Sequence, residues 1–135
     1  MKLALEQAKQ AFEADEVPIG AVLVIDDQVV AAGHNSIEAD TDATSHAEIK
    51  VIKESSSKLG RWRLSDATIY VTVEPCTMCF GAIKQARIQN IIFGCYDQKF
   101  GALGSLYDLR TDKMKVVSEV LAAESKELLL SLIHI

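Results

Sequence analysis

The feature that most constrains the fold is the stretch from residue 67 to residue 89, where one kind of hydrophobic pattern gives way to another. Ala67-Thr68-Ile69-Tyr70-Val71-Thr72-Val73 is a continuous apolar run that predicts a buried strand. Glu74-Pro75-Cys76-Thr77-Met78-Cys79 follows, and behind it Phe80, Ile83 and Ile88 recur at helical spacing up to about Gln89. Pro75 suits the first turn of that helix, where a missing N–H costs nothing. Cys76 and Cys79 then share one face at the N-terminal mouth of the helix. The partial positive charge there favours thiolate over thiol, and two adjacent thiolates are half of a zinc site.

The other half is expected from Ser45-His46-Ala47-Glu48. A catalytic zinc site uses three protein ligands and leaves one position for water, so His46 completes the set with Cys76 and Cys79. Glu48 lies two residues beyond His46. Such a pair does not share a face along a regular helix, so it makes sense only at a helix start, with Thr44 and Ser45 as caps. Glu48 is then near the metal without binding it, free to carry protons. Two other readings of Cys-x-x-Cys were weighed: a thioredoxin-like redox pair and a structural zinc site with a fourth protein ligand. The upstream His-x-Glu and the proline before the first cysteine favour the catalytic site.

The remaining pattern supplies a scaffold. Residues 2–14 predict an amphipathic helix with Ala4, Ala8, Ala11 and Phe12 on its inner stripe, broken by Val17-Pro18. Strands are expected over 19–25 and 29–32 around an Asp26-Asp27-Gln28 turn, a hairpin at the antiparallel edge of the sheet. A polar loop over 36–44 leads into a helix from His46 to about Lys58 that buries Ala47, Val51 and Ile52. Further strands are expected over 90–94 and 114–120, with Cys95 as a small core residue and an apolar helix over 121–135. Repeated β-α-β crossovers predict an α/β fold: a mixed five-stranded sheet between two helical layers, in one domain covering 1–135. The cysteine motif then falls at the C-terminal end of a strand, where open α/β sheets bind ligands.

Charge is the least cooperative feature. The net charge is −5, and residues 1–40 carry two basic against eight acidic side chains. Residues 41–99 reverse this with eight basic against six acidic, so Lys50, Lys53, Lys58, Arg61, Arg63, Lys84 and Arg87 are a candidate local patch against a background of ordinary solvated charges. Arg61-Trp62-Arg63 is either a nucleic-acid contact or a tryptophan packed on the edge of the core. No apolar run approaches the roughly 18 residues of a membrane-spanning helix, and no signal-peptide pattern opens the chain. Three cysteines, two of them committed to a metal, suit a reducing cytoplasm.

His-Ala-Glu followed by Pro-Cys-x-x-Cys is the signature of zinc nucleobase deaminases. From Val17-Pro18-Ile19-Gly20-Ala21-Val22 through Asp97 to Gly101-Ala102-Leu103-Gly104-Ser105-Leu106, the chain resembles the tRNA-specific adenosine deaminases of the cytidine deaminase superfamily. The resemblance implies a cytidine deaminase-like fold, one zinc per chain and conversion of the wobble adenosine to inosine in a tRNA anticodon stem-loop. It also implies a homodimer, for which Phe80 and Ile83 are candidate contacts. Asn35 and the Ala47 N–H would orient the purine, Val17 and Ile19 would wall it, and Asp97 would stand in a loop beside the RNA. His34, where relatives often carry an aromatic ring, is expected at a wall or on the surface. The chain departs from the family in reading Asp42-Ala43-Thr44 where a proline is common, and in ending on apolar Leu132-Ile133-His134-Ile135 where relatives carry a basic tail. The competing function is deamination of a free base such as guanine or cytosine by the same zinc chemistry.

Overall fold

A computed structural model describes residues 1–133. Its centre is a five-stranded sheet in the order β2-β1-β3-β4-β5, formed by β1 (Gly20–Ile25), β2 (Gln28–His34), β3 (Thr68–Val73), β4 (Asn90–Cys95) and β5 (Lys115–Val117). β1 runs antiparallel to both β2 and β3, while β3, β4 and β5 are parallel. The β1–β2 hairpin turns on Asp26 and Asp27 alone, both at positive φ (50° and 60°), and Ile25 pairs with Gln28. Two consecutive left-handed residues match the twist of a tight hairpin, and Asp tolerates that conformation.

Helices cover both faces. α1 (Lys2–Glu13) and α5 (Ala122–Ile133) pack together on one side, and α3 (Ala47–Leu59) and α4 (Thr77–Gln85) on the other. The core between the layers is built from Leu23, Val51, Leu64, Ile69, Val71, Ile83, Ile91 and Phe93, all fully buried. Gly20 marks the closest approach of helix to sheet: a Cβ there would stand 2.6 Å from the Ala8 nitrogen, inside the backbone of α1.

Several expected boundaries shift for identifiable reasons. The 36–44 loop contains a short helix, α2 (Ile37–Asp40), whose Glu38 and Ala39 N–H groups bond the buried Glu16 carboxylate at 3.0 and 2.8 Å. α4 stops at Gln85, not Gln89, because Arg87 turns left-handed (φ 66°) and the Ile88 N–H bonds back to the Ile83 carbonyl. β5 covers three residues instead of seven, and Cys95 belongs to β4. α5 begins at Ala122, and the part of its expected span at residues 134–135 lies outside the described residues. Phe80 and Ile83 are 3% and 0% exposed, so they are core residues and not contact points for a partner. Trp62 is not at the edge of the core either. It is 56% exposed, with the Arg63 and Arg87 guanidinium carbons 5.1 and 5.7 Å from its ring centroid. Three of the seven basic residues are engaged with acids: Lys50 pairs with Asp40, Lys58 with Glu54 and Arg61 with Asp66.

Candidate active site

The strand directions bring four connections to one end of the sheet. β2, β3 and β4 end there and β1 begins there, so residues 17–19, 35–46, 74–79 and 96–105 all border the same space. This is the end at which ligands bind in open α/β sheets.

Two helix starts meet in that space. Cys76 is the residue preceding the first turn of α4, in extended conformation, and His46 holds the same place before α3. Pro75 therefore stands two residues before the helix it was expected to open, and His46 takes the capping position expected of Thr44 or Ser45. The consequence is chemical. Residues flanking a helix start aim their side chains past its end, so His46 and Cys76 project towards each other, and Cys79, in the first turn of α4, joins them. Their ligand atoms all lie within 4.8 Å of one another.

The spacing fits a tetrahedral ion. Bonds of about 2.3 Å to sulfur and 2.0–2.1 Å to nitrogen would separate the two ligand atoms by about 3.6 Å. His46 Nδ1 lies 3.4 Å from Cys79 Sγ and 3.7 Å from Cys76 Sγ. The donor set is closed by one histidine and two cysteines, and among the described residues no fourth His, Cys, Asp or Glu joins the cluster, which is the open pattern of a catalytic site.

The electrostatics are those of a tightly coupled buried set. Hydrogen bonding from Cys79 and His46 draws the Cys76 thiol down to about 4, against the opposing effect of burial. Cys79, the donor to Cys76 and itself buried, is pushed up. His46 is raised by its hydrogen bond to Cys76. Glu48, 4% exposed, is pushed up to about 7, chiefly by burial. Without a cation beside it, burial favours the protonated carboxyl. A divalent cation between these donors would pull both thiols and Glu48 down.

A chain of hydrogen bonds links the other expected residues. The Ile19 N–H bonds the Val17 carbonyl at 2.8 Å, the Asn35 N–H bonds the Ile19 carbonyl at 3.1 Å, and Asn35 Oδ1 accepts the Ala47 N–H at 2.8 Å. Asn35 is buried, Ile19 half-buried and Val17 40% exposed. Asp97 caps its own turn, with Oδ1 accepting the Lys99 and Phe100 N–H groups. His34 bonds the Asn35 carbonyl through Nδ1 and faces a cavity of about 490 Å³ along the outer edge of β2, which none of the three cluster residues lines.

A family model described as MafB19-like deaminase matches residues 1–133. The tRNA-specific adenosine deaminase of Bacillus subtilis (strain 168) is 46% identical over 129 residues, covering 92% of this chain and 80% of that one. The chain belongs to the tRNA-specific adenosine deaminases. A solved structure from work on A-to-I editing by tRNA:A34 deaminases at the wobble position of transfer RNA superposes on this family member with a TM-score of 0.90 and 44% identity. It covers 95% of this chain and 96% of that one. The guanine deaminase from Bacillus subtilis is further away, with a TM-score of 0.67 and 35% identity over 70% of this chain and 61% of that one. The deaminase fold with a five-stranded mixed sheet between helical layers is therefore as the sequence predicted.

One part of the site carried no sequence signal. Glu74 is 2% exposed and accepts hydrogen bonds from the Asp97 N–H (3.0 Å), the Leu103 N–H (2.8 Å), the Ser105 N–H (3.1 Å) and the Ser105 hydroxyl. Glu16 plays a similar part for α2. Each precedes a turn containing proline, which by itself does not distinguish a buried carboxylate from a solvated one.

Proposed function

We infer that this chain hydrolyses adenosine to inosine, with release of ammonia, at the wobble position of a tRNA anticodon loop. The observation that carries the reading is the match in sequence and backbone to the tRNA:A34 deaminase structure over nearly the whole chain, with Glu48 buried beside the His46–Cys76–Cys79 cluster. His46, Cys76 and Cys79 would hold one zinc per chain, which would supply Lewis-acid activation of a water molecule. Glu48 would take one proton from that water as its oxygen bonds to the carbon bearing the amine, and deliver it to the adjacent ring nitrogen. It would then take the second proton from the added hydroxyl and pass it to the amine, which leaves as ammonia as the C–N bond breaks and the carbonyl forms. Asn35 and the Ala47 N–H orient the purine, Val17 and Ile19 wall it, and the Asp97 loop meets the flanking RNA. The adenosine must leave the stack of the anticodon loop to enter, which costs a few kcal/mol that contacts to the RNA offset.

The whole chain acts as one catalytic domain, working as a homodimer in the cytoplasm. Phe80 and Ile83, being buried in the core, do not supply its contacts. Among the described residues no helix is long and apolar enough to cross a membrane. Inosine formation in an adenosine-containing stem-loop, abolished by Glu48→Ala with metal content unchanged, tests the reaction. Sedimentation at twice the 14.8 kDa chain mass tests the dimer.

A further inference from the structure

We propose that Glu74 is a positioning residue: its buried carboxylate templates the 97–105 loop against the Cys76 turn and so sets affinity for the RNA around the reacting adenosine. This rests on the functional reading above and adds a role for a residue outside the zinc cluster. A carboxylate removed from water is tolerated only when its oxygens are satisfied. Among the described residues Glu74 forms no ion pair, and its four donors all belong to one loop: the N–H groups of Asp97, Leu103 and Ser105, and the Ser105 hydroxyl. An ionised carboxylate only accepts, so every donor can aim at it at once.

The loop is partly shaped from within, by Asp97 Oδ1 on the Lys99 and Phe100 N–H groups and by the buried Ala102 and Leu103, while Glu74 ties its two ends, Asp97 and Ser105, to one point. The loop connects β4 to β5 without a helix, and its outer side chains, Phe100, Leu106 and Tyr107, are 61%, 49% and 52% exposed. Gly101 lies directly over the carboxyl group, where a Cβ would overlap it. At the same place the loop is strapped to the ligand-bearing turn: Gly101 bridges Cys76, and the Ala102 N–H bonds the Pro75 carbonyl at 2.9 Å. One side chain outside the cluster therefore ties both ends of the loop beside it.

Glu74→Gln tests this. The amide keeps the size but turns one acceptor into a donor facing N–H groups. Measured on metal-loaded protein with an adenosine-containing stem-loop, KM should rise about tenfold or more, with kcat within about threefold of the parent and one metal per chain retained. Amide exchange at Leu103 and Ser105 should quicken in parallel. Ser105→Ala, which removes one donor and leaves the carboxylate, should shift KM the same way by less, and it decides the matter if Glu74→Gln does not fold. Unchanged KM with unchanged exchange overturns the proposal, and so does loss of the metal, which would make Glu74 a support of the ligand turn alone. If the parent protein does not act on the stem-loop, the functional reading fails. The exchange measurement still decides whether Glu74 templates the loop.

Discussion

Asn35 is the residue at which structural and substrate roles can be separated by two substitutions. Its Oδ1 accepts the Ala47 N–H at 2.8 Å, one of the donors at the start of α3 that has no partner within the helix. Asn35→Ala leaves that buried donor unpaired, at a cost of about 1–3 kcal/mol. For a chain of this size each kcal/mol lowers Tm by about 3–5 °C, so the melting temperature should fall by roughly 3–15 °C. Asn35→Asp keeps the acceptor and places negative charge at a helix start, where the dipole favours it. The dipole offsets only part of the cost of burying the second carboxylate oxygen, so the Tm of Asn35→Asp should fall by less than that of Asn35→Ala. What Asp removes is the amide NH2 pair, the only donor Asn35 can offer a purine. If that donor holds the base, Asn35→Asp should lose about 10–100-fold in kcat/KM, the value of one strong hydrogen bond. The assays are thermal unfolding and inosine formation with both variants, zinc content being checked for each. A fully active Asn35→Asp protein would refute the substrate role, and a fully stable Asn35→Ala protein would refute the capping one.

Three further outcomes follow from the same geometry. Glu48→Gln should retain metal by elemental analysis while turnover falls by about 10²–10⁴-fold, the range for lost general acid–base catalysis; near-normal turnover would remove Glu48 from the proton path. His46→Ala, Cys76→Ala and Cys79→Ala should each lose the metal, and Cys95→Ala, whose thiol is buried at the end of β4 and outside the cluster, should keep it. Gly20→Ala forces a methyl group into the backbone of α1 and should destabilise by at least the roughly 1–3 kcal/mol of an overpacked core in urea unfolding, whereas a neutral result would mean α1 can move away from the sheet.

What the sequence made legible was decided by periodicity and by side chains with few alternative uses. The run from Ala67 to Val73 located β3, and the spacing of Cys76 and Cys79 placed both thiols at the mouth of α4, although the helix opens two residues after Pro75. His46 and Glu48 could be placed because an i, i+2 pair makes sense only at a helix start. The helix ends were harder to place. Nothing in Arg87 announces a left-handed turn, since Gly or Asn would be the usual signal, and so α4 was drawn one turn too long. Phe80 and Ile83 read equally well as core or interface because helical spacing cannot say which neighbour covers a face. Glu16 and Glu74 were illegible for a different reason. A buried carboxylate is recognised by the N–H groups that converge on it, and for Glu74 those come from residues 23 to 31 positions away.

The central claim is that RNA, and not a free base, is the substrate of the zinc site. Ammonia or inosine release should be measured at low salt from an adenosine-containing anticodon stem-loop and, side by side, from free adenosine, guanine and cytosine. The account predicts turnover of the stem-loop with little activity on the others. Faster release from any free base than from the stem-loop would contradict it and make this chain a small-molecule deaminase.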